Sequence, residues 1–379
     1  MATDMPVETI TTDPSENHPT TGTALCLSGG GYRAMVFHTG VLWKLYEAGL
    51  LGKVDRISSV SGGSIAAGVL ALAWKTLSFD PKRTRSDFVP QVVEPIRRLA
   101  SKTIDVKSVL LGVLLPGGVS DRIVSAYDSV LFNGATLQDL PDHPRFVINA
   151  TNVNSGALWR FMKPYMRDYR VGEVKKPKLA LSKAVAASSA FPPVLSPCEL
   201  RLDPADFTPD DTRELKEERY RSHVVLTDGG VYDNLGLETA WKKYRTVFVS
   251  DGGGKLEAED SPKADWARHS YRVLNLVDNQ VRALRKRQVV DSFKSGARSG
   301  AYWGIRTNIA DYGLADALPC PADRTMELAT TPTRLKAMDD KLQEQLINWG
   351  YAVCDAAIRS HVTPSPRGEI AFPYPNVGV

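Results

Sequence analysis

The fold of this chain is decided by residues 24–33, which read ALCLSGGGYR. The run from Ala24 to Leu27 is apolar and of strand length, and three successive glycines follow it. Glycine lets the backbone bend tightly and leaves its N–H groups uncovered. A helical pattern then continues to about Glu47 and is closed by Gly49. A strand, a glycine turn and a helix in direct succession predict a turn that can hold an anion at the helix N-terminus.

The anion could be a phosphate, a dinucleotide pyrophosphate or a transient oxyanion. A phosphate loop would end in Gly-Lys-Ser or Gly-Lys-Thr, and a dinucleotide fingerprint would read G-x-G-x-x-G with an acidic residue about 20 positions later. The turn at Gly29, Gly30 and Gly31 is part of neither pattern. Taken alone, the turn fits a structural role as well as a functional one.

A second strand–turn–helix unit follows, with an apolar run at 57–60 and a helical pattern at 64–74. The junction at 59–63 reads SVSGG, which is a nucleophile elbow of the G-x-S-x-G type with Ser59 in place of the first glycine. Such an elbow exposes the hydroxyl of Ser61 and directs the next backbone N–H to the same point. An isolated S-x-G is more often a helix cap, but its position in the unit next to the glycine turn favours a nucleophile.

The alternation of strands and helices predicts an α/β fold with a mainly parallel central sheet. Further strands are expected at 146–150, 224–227 and 246–250, and helices at 265–294 and 333–359. Residues 79–143 interrupt the rhythm and are predicted to form a helical insertion or lid. The apolar run Val109–Leu115 within it would suit a lipid-facing lid or a core helix.

Composition and charge set broad limits on function. The chain has 379 residues, 43% of them hydrophobic, which is enough apolar mass for a large core. A net charge of only +4 calls for neither nucleic acid nor an anionic bilayer. The four cysteines form no C-x-x-C pair and no metal-ligand spacing, which predicts free thiols in a reducing compartment and no metal.

Targeting signals are not recognisable in the sequence. Residues 1–21 are polar and acidic, lack the features of a signal peptide, and are predicted to form a mobile tail. No run of about 18 apolar residues occurs. The sequence therefore predicts a cytoplasmic protein that spans no membrane.

A third motif, TDGG at residues 227–230, follows an apolar strand pattern and precedes VYDNLG. A carboxylate at the carboxyl end of a parallel strand lies where open α/β sheets place their active sites. Asp-Gly-Gly alone is only a turn signal. A near copy, DGGG at 251–254, ends the next predicted strand, so spacing and chemistry do not choose between Asp228 and Asp251.

Together these segments resemble the patatin-like phospholipase family, whose signature is a G-G-G-x-R loop, a serine elbow and a D-G-G or D-G-A motif. The resemblance extends over residues 23–255 and includes SSAFPP at 188–193, which is similar to the family's A-S-x-A-x-P stretch. The turn at Gly29, Gly30 and Gly31, here called the glycine loop, also resembles that of the cytosolic phospholipases A2, which share a Ser-Asp dyad. The resemblance implies a three-layer α/β sandwich, with residues 22–260 as the catalytic domain and 261–379 as a helical region packed on it.

The resemblance also implies the site. Ser61 would be the nucleophile, Asp228 the general base, and the glycines at 29–31 the oxyanion loop. Arg33 would support that loop or contact a substrate phosphate. No cofactor is implied. This sequence departs from the family's elbow at Ser59, where the pattern has a glycine, and the departure leaves the nucleophile intact.

Most serine hydrolases use histidine as the base. None of the six histidines lies in a triad motif; His38, in the helix after the glycine loop, and His223, before Asp228, are weak candidates. A dyad without histidine requires Asp228 to contact Ser61 directly. The pKa of Asp228 should also be raised, because an ordinary aspartate is a weak base.

The implied function is hydrolysis of fatty acyl esters of membrane glycerophospholipids, as a phospholipase A or lysophospholipase in peripheral contact with the membrane. Alternatives are a carboxylesterase or thioesterase on soluble substrates, a defence effector switched on by a small-molecule regulator, and a non-catalytic lipid-binding module. Intact Ser61 and Asp228 argue against the last. An oligomer is compatible with the sequence. The basic cluster at 282–287 could contact headgroups, a partner or an anionic regulator, although a solvated helix face is the default.

Overall fold

The structure is a computed structural model, and it describes residues 20–104, 118–210, 212–363 and 370–379. Residues 1–19 of the predicted tail lie outside the described residues. The whole of the apolar run Val109–Leu115 also lies outside them, so its predicted role as a lid stays a prediction.

The described strands form a single ten-stranded sheet. In chain order they are β1 Thr20–Leu27, β2 Arg56–Ser59, β3 Arg145–Asn152, β4 Ala157–Phe161, β5 Tyr165–Asp168, β6 Gly172–Lys175, β7 Cys198–Arg201, β8 His223–Asp228, β9 Tyr244–Asp251 and β10 Ser299–Gly304.

The α-helices of the described residues flank this sheet. They are α1 Gly31–Glu47, α2 Gly62–Ala73, α3 Glu94–Ala100, α4 Val119–Tyr127, α5 Leu181–Ser188, α6 Glu218–Arg221, α7 Gly230–Asp233, α8 Glu238–Trp241, α9 Trp266–Lys294, α10 Ala322–Thr330 and α11 Asp340–His361. Two π-helical stretches, Thr84–Val93 and Asp128–Phe132, adjoin α3 and α4. The described elements within 79–143 are thus mainly helical.

The sheet has a parallel half and an antiparallel half. Strands β10, β9, β1, β2 and β3 lie side by side and run parallel. Beyond β3, the strands β4, β5 and β6 continue the sheet in antiparallel fashion. The predicted α/β fold with a parallel sheet at its centre is confirmed.

Strand β8 runs antiparallel to β3, so the expectation that Asp228 ends a parallel strand is wrong. The opposite edge of β3 is occupied by β4, so β2 and β8 share one edge. On that edge Ser59 of β2 pairs with Ile148, and Asp228 of β8 pairs with Ala150. Because β2 and β8 run toward each other along β3, their carboxyl ends meet.

The C-terminal part of the chain packs into the core through α11, which lies against α1. A Cβ atom at Gly40 would lie 1.9 Å from the carbonyl oxygen of Ile347, and one at Gly350 would lie 2.0 Å from that of Phe37. Only glycine therefore permits this close approach of the two helices.

The helix predicted at 265–294 is confirmed as α9, whose N-cap Asp265 accepts a hydrogen bond from the Arg268 N–H. The helix expected from Thr333 begins only at Asp340. The C-terminal region also contributes β10, which the sequence did not predict, so it is not purely helical. The proposed division into domains stays a prediction.

Candidate active site

Ser61 lies on the sharp turn between β2 and α2. Its φ of 51° and ψ of −120° put a non-glycine residue in a strained backbone conformation. A Cβ atom at Gly62 would lie 2.1 Å from the carbonyl oxygen of Gly31, and one at Gly63 would lie 2.4 Å from that of Leu27. Both positions after Ser61 therefore require glycine, because the start of α2 contacts the glycine loop and the end of β1.

Ser59 is accommodated where the elbow pattern has its first glycine. Its hydroxyl donates to the carbonyl oxygen of Val147 over 3.3 Å and accepts from the Ser64 hydroxyl at 3.0 Å. The side chain is fully buried, and these bonds satisfy it. The departure from the pattern is therefore compatible with the sharp turn at Ser61.

Asp228 is buried, with 2% of its surface exposed, and its carboxylate lies close enough to the Ser61 hydroxyl for that group to lower its pKa. The Gly230 N–H also donates to its Oδ1 atom at 2.7 Å. Burial raises the pKa of Asp228 to about 7; the Gly230 N–H and the Ser61 hydroxyl oppose the rise, and the nearby Asp278 carboxylate adds to it. A carboxylate with such a pKa is well matched to proton transfer at neutral pH.

The glycine loop presents backbone N–H groups beside Ser61. Gly30 and Gly31 have φ angles of 145° and 60°, which favour glycine. The Gly29 N–H already donates to both the main-chain and the side-chain oxygen of Asn234, each at 3.0 Å. In the described part of the chain, the N–H groups of Gly30, Gly31 and Gly62 have no acceptor. Of the predicted oxyanion glycines, Gly29 is therefore the one whose donor is engaged elsewhere.

Arg33 is buried, and its guanidinium bonds to main-chain carbonyls. Nε donates to the Gly252 oxygen at 3.2 Å, and Nη1 donates to the Thr331 oxygen. Burial lowers the pKa of Arg33 to about 10. These bonds tie the glycine loop to two distant segments and favour loop support over contact with a substrate phosphate.

Asp251, the competing Asp-Gly-Gly aspartate, faces β10. Its Oδ2 accepts from the Tyr302 hydroxyl at 2.8 Å, and its Oδ1 accepts from the Gly253 N–H at 2.9 Å. No hydrogen bond joins it to Ser61 among the described residues. The two aspartates that the sequence left open thus differ in geometry, because Asp228 contacts Ser61 and Asp251 supports a neighbouring strand.

His38 and His223 do not contact Ser61 or Asp228 by any hydrogen bond in the described ranges. The Nε2 of His38 lies 3.0 Å from the carbonyl oxygen of Ser28, which can only accept, so Nε2 carries a proton. Burial lowers the pKa of His38 to about 4, so the ring is neutral. His223 pairs with Glu199 at 3.0 Å, at the opposite end of β8 from Asp228.

Two positioning residues were not recognised from the sequence, although both lie in segments that carry the family resemblance. The Ser188 hydroxyl accepts from the Ser61 N–H at 3.0 Å and donates to the Asn149 carbonyl at 2.6 Å, which fixes the elbow against β3. Asn234 holds Gly29 and also lies 3.4 Å from the Asp278 carboxylate. Their residue types gave no signal, since serine and asparagine are ordinary turn residues.

Ser61 and Asp228 line a cavity of about 980 Å³, which is in the range of ligand-binding pockets. Part of its wall is apolar and is formed by Ile65, Ile104, Phe191, Val194, Leu195 and Leu256. The described residues hold no group of side chains with metal-ligand geometry. Nor does any helix among them have the length and apolar character needed to cross a bilayer.

This fold and this site define an α/β protein with a serine elbow beside a buried carboxylate. A sequence model of the family described as patatin-like phospholipase matches residues 25–241, which is more than half of the chain. The chain therefore belongs to the patatin-like phospholipase family.

A solved structure agrees at the level of the fold. Human GIVD cytosolic phospholipase A2 in complex with methyl gamma-linolenyl fluorophosphonate matches with a TM-score of 0.50 and 13% identity, over 89% of this chain and 57% of that chain. VipD from Legionella pneumophila matches with a TM-score of 0.37 and 15% identity, over 91% of this chain and 67% of that chain. This chain thus spans less than two thirds of the human enzyme. No curated protein matches it in sequence.

Proposed function

We propose that the chain is a serine acyl hydrolase that cleaves fatty acyl esters of membrane glycerophospholipids, as a phospholipase A or lysophospholipase. The observation that carries the proposal is the placement of the Ser61 hydroxyl beside the buried carboxyl of Asp228, whose pKa is about 7, in one large pocket. Membership of the patatin-like phospholipase family supports lipid acyl hydrolysis.

In the first half-reaction the Ser61 oxygen attacks the ester carbonyl while its proton passes to the Asp228 carboxylate. The carbonyl π-electrons move to oxygen and form a tetrahedral oxyanion. When that intermediate collapses, the bond to the alcohol breaks and the leaving oxygen takes the proton from Asp228. The products are an acyl-Ser61 ester and a lysophospholipid, and the carboxylate is again free to act as a base.

In the second half-reaction a water molecule gives a proton to Asp228 and attacks the acyl-Ser61 carbonyl. Collapse of the second tetrahedral intermediate breaks the bond to Ser61, whose oxygen recovers its proton from Asp228. A fatty acid is released. One carboxylate thus acts as base and then acid in each half, so its pKa of about 7 suits both steps at neutral pH.

The oxyanion of both intermediates would be stabilised by the N–H groups of Gly30, Gly31 and Gly62, which lack acceptors in the described part of the chain. Each well-placed donor of this kind contributes roughly 3–4 kcal/mol to the transition state. Gly29 acts indirectly in this assignment, because its bonds to Asn234 fix the loop in place.

The acyl chain of the substrate would pack on the apolar wall of the pocket. A membrane lipid reaches such a site only if the protein contacts the bilayer peripherally, so we expect a peripheral enzyme. A carboxylesterase or thioesterase acting on soluble substrates would use the same dyad. So would a hydrolase that is controlled by a small-molecule regulator. The assay below separates these reactions by their substrate.

The test is lipid analysis by mass spectrometry after liposomes of bacterial phospholipids are incubated with wild type and with Ser61→Ala. Release of fatty acid and lysophospholipid by wild type, absent in Ser61→Ala, is the expected result. The matched control Ser86→Ala removes an exposed hydroxyl that does not line the pocket. Hydrolysis of p-nitrophenyl butyrate without action on liposomes would instead identify a soluble-ester hydrolase. No Ser61-dependent hydrolysis of either substrate would contradict the proposal.

A further inference from the structure

The pocket above Ser61 has a basic lining whose purpose the hydrolytic mechanism leaves open. Six basic residues line it, against two acidic ones, Asp228 and Asp278. The basic residues are Arg33, Lys255, Arg268, Arg282, Arg334 and Lys336. Ester hydrolysis itself needs only the backbone N–H donors for the oxyanion and no cationic side chain. The excess of positive charge therefore points to an anionic part of the ligand.

Four of these cations are already engaged. Arg33 donates to main-chain carbonyls, as described above. Arg282 is buried and donates to the Gly254 oxygen at 2.8 Å. Arg268 pairs with Asp265 at 2.6 Å, and Lys255 lies 4.0 Å from a carboxylate oxygen of Glu257. Their charges are partly neutralised or their donors are occupied, which leaves Arg334 and Lys336.

Arg334 and Lys336 lie on residues 331–338, here called the strap. The strap is held against the glycine loop because the Tyr32 N–H donates to the Arg334 oxygen at 3.2 Å, and Arg33 donates to the Thr331 oxygen. A Cβ atom at Gly31 would lie only 3.1 Å from the main-chain N and O of Arg334. The backbone of Arg334 is therefore fixed next to the loop that is assigned the oxyanion.

The strap buries its middle residue and leaves the cationic residues on either side of it exposed. Leu335 between them is buried, with 5% exposure, and its carbonyl oxygen accepts from the Ile104 N–H at 2.9 Å. Arg334 and Lys336 are exposed and both line the pocket. Neither forms an ion pair with any carboxylate of the described residues.

We infer that Arg334 and Lys336 form a phosphate-binding subsite at the rim of the pocket. The inference rests on the proposed acyl hydrolase function and names the chemistry that the enzyme selects, which is a phosphate group close to the scissile ester. The planar guanidinium of Arg334 can bind two phosphate oxygens at once, and Lys336 adds a point charge. The phosphate can belong to a lipid headgroup or to a soluble phosphorylated ligand.

The test compares two monomeric ester substrates, short-chain phosphatidylglycerol and the neutral p-nitrophenyl butyrate. Arg334→Ala and Lys336→Ala should each lower kcat/KM for the phospholipid by about tenfold, the lower end of the effect of a charge-assisted hydrogen bond, and much less for the neutral ester. The loss should lie mainly in KM, and Arg334→Lys should recover part of it. The control Arg306→Ala removes an exposed arginine outside the pocket and should match wild type.

A second arm uses inorganic phosphate and glycerol 3-phosphate as inhibitors of neutral ester hydrolysis. Weaker inhibition of both strap variants, with the selective loss on phospholipid, supports a headgroup subsite. Weaker inhibition without that loss supports a subsite for a soluble phosphorylated ligand. Equal losses on both substrates would overturn the inference. Strap variants that match wild type in both the kinetic arm and the inhibition arm would also overturn it. If wild type cleaves only the neutral ester, the proposed function fails, and the inhibition arm still tests the subsite.

Discussion

Replacing Asp228 with asparagine should stabilise the folded protein at alkaline pH while it removes the proposed base. The carboxyl is buried, and burial raises its pKa from an ordinary value of 3.8 to about 7. A carboxyl with a higher pKa in the folded state binds its proton more tightly there than in the unfolded chain. This contribution to stability is therefore fully present below about pH 4 and is lost as the pH rises to about 7.

The size of the effect follows from the shift. About three pKa units correspond to about 4 kcal/mol of unfolding free energy above pH 7, and to about 2–3 kcal/mol between pH 5 and pH 8. Asparagine has no such titration. Its amide oxygen can still accept the hydrogen bond that the Gly230 N–H now donates to Asp228. The variant should therefore exceed wild type in stability by a few kcal/mol at pH 8, and the advantage should shrink toward pH 4.

The assay is urea unfolding, followed by tryptophan fluorescence and circular dichroism at pH 5, 6, 7 and 8. Ser61→Ala is the control, because it removes the proposed nucleophile but leaves the carboxyl; its stability should still depend on pH, with the transition moved slightly to higher pH because the Ser61 hydroxyl lowers the pKa of Asp228. A difference between Asp228→Asn and wild type that stays constant from pH 5 to pH 8 would refute the reasoning. It would mean that the carboxyl does not titrate in this range.

Further predictions concern activity. The kcat/KM of wild type for a soluble ester should fall as the pH drops below 7, to about 1% of its maximum at pH 5. Asp278→Asn should move this fall to lower pH, because it removes a charge that raises the pKa of Asp228. A fall in wild-type activity that begins only near pH 4 would contradict this. Ser61→Ala and Asp228→Asn should each reduce the rate by about 10²–10⁴, and the double variant should reduce it little further. Asp251→Asn should keep much of the activity. An inactive Asp251→Asn variant together with an active Asp228→Asn variant would reverse the assignment. Arg33→Ala should affect phospholipid and neutral ester equally, and a selective loss on phospholipid would show headgroup contact. Excess chelator should leave neutral ester hydrolysis intact, and loss of most activity would indicate a metal.

Local patterns in the sequence predicted what local physics determines. The elbow at Ser61 follows from a strand, small residues and a helix within a few positions, and the structure has that turn. The direction of β8 could not be found in this way. An apolar run predicts a strand, but its orientation depends on hydrogen bonds to β3, a distant part of the chain. β10 was missed because its sequence, SGAYWG, is short and contains two glycines.

The roles of individual side chains likewise depend on neighbours that are distant in sequence. Arg33 follows the glycine turn, but its partners are Gly252 and Thr331. Asp251 has the same local motif as Asp228, and the hydroxyl of Tyr302 on β10 distinguishes the two. The helix expected from Thr333 begins later because the strap is hydrogen-bonded to the glycine loop and to the end of α3.

The meeting of β2 and β8 on one edge of β3 makes the site sensitive to strand alignment. Ser61 and Asp228 have no shared turn; each is placed by its own strand's pairing with β3. A slip of β8 by one residue would move the carboxylate about 3.4 Å along the edge and turn it to the other face of the sheet. A misaligned chain would therefore leave Ser61 without a carboxylate beside it, so the alignment that completes the sheet also assembles the proposed catalytic pair.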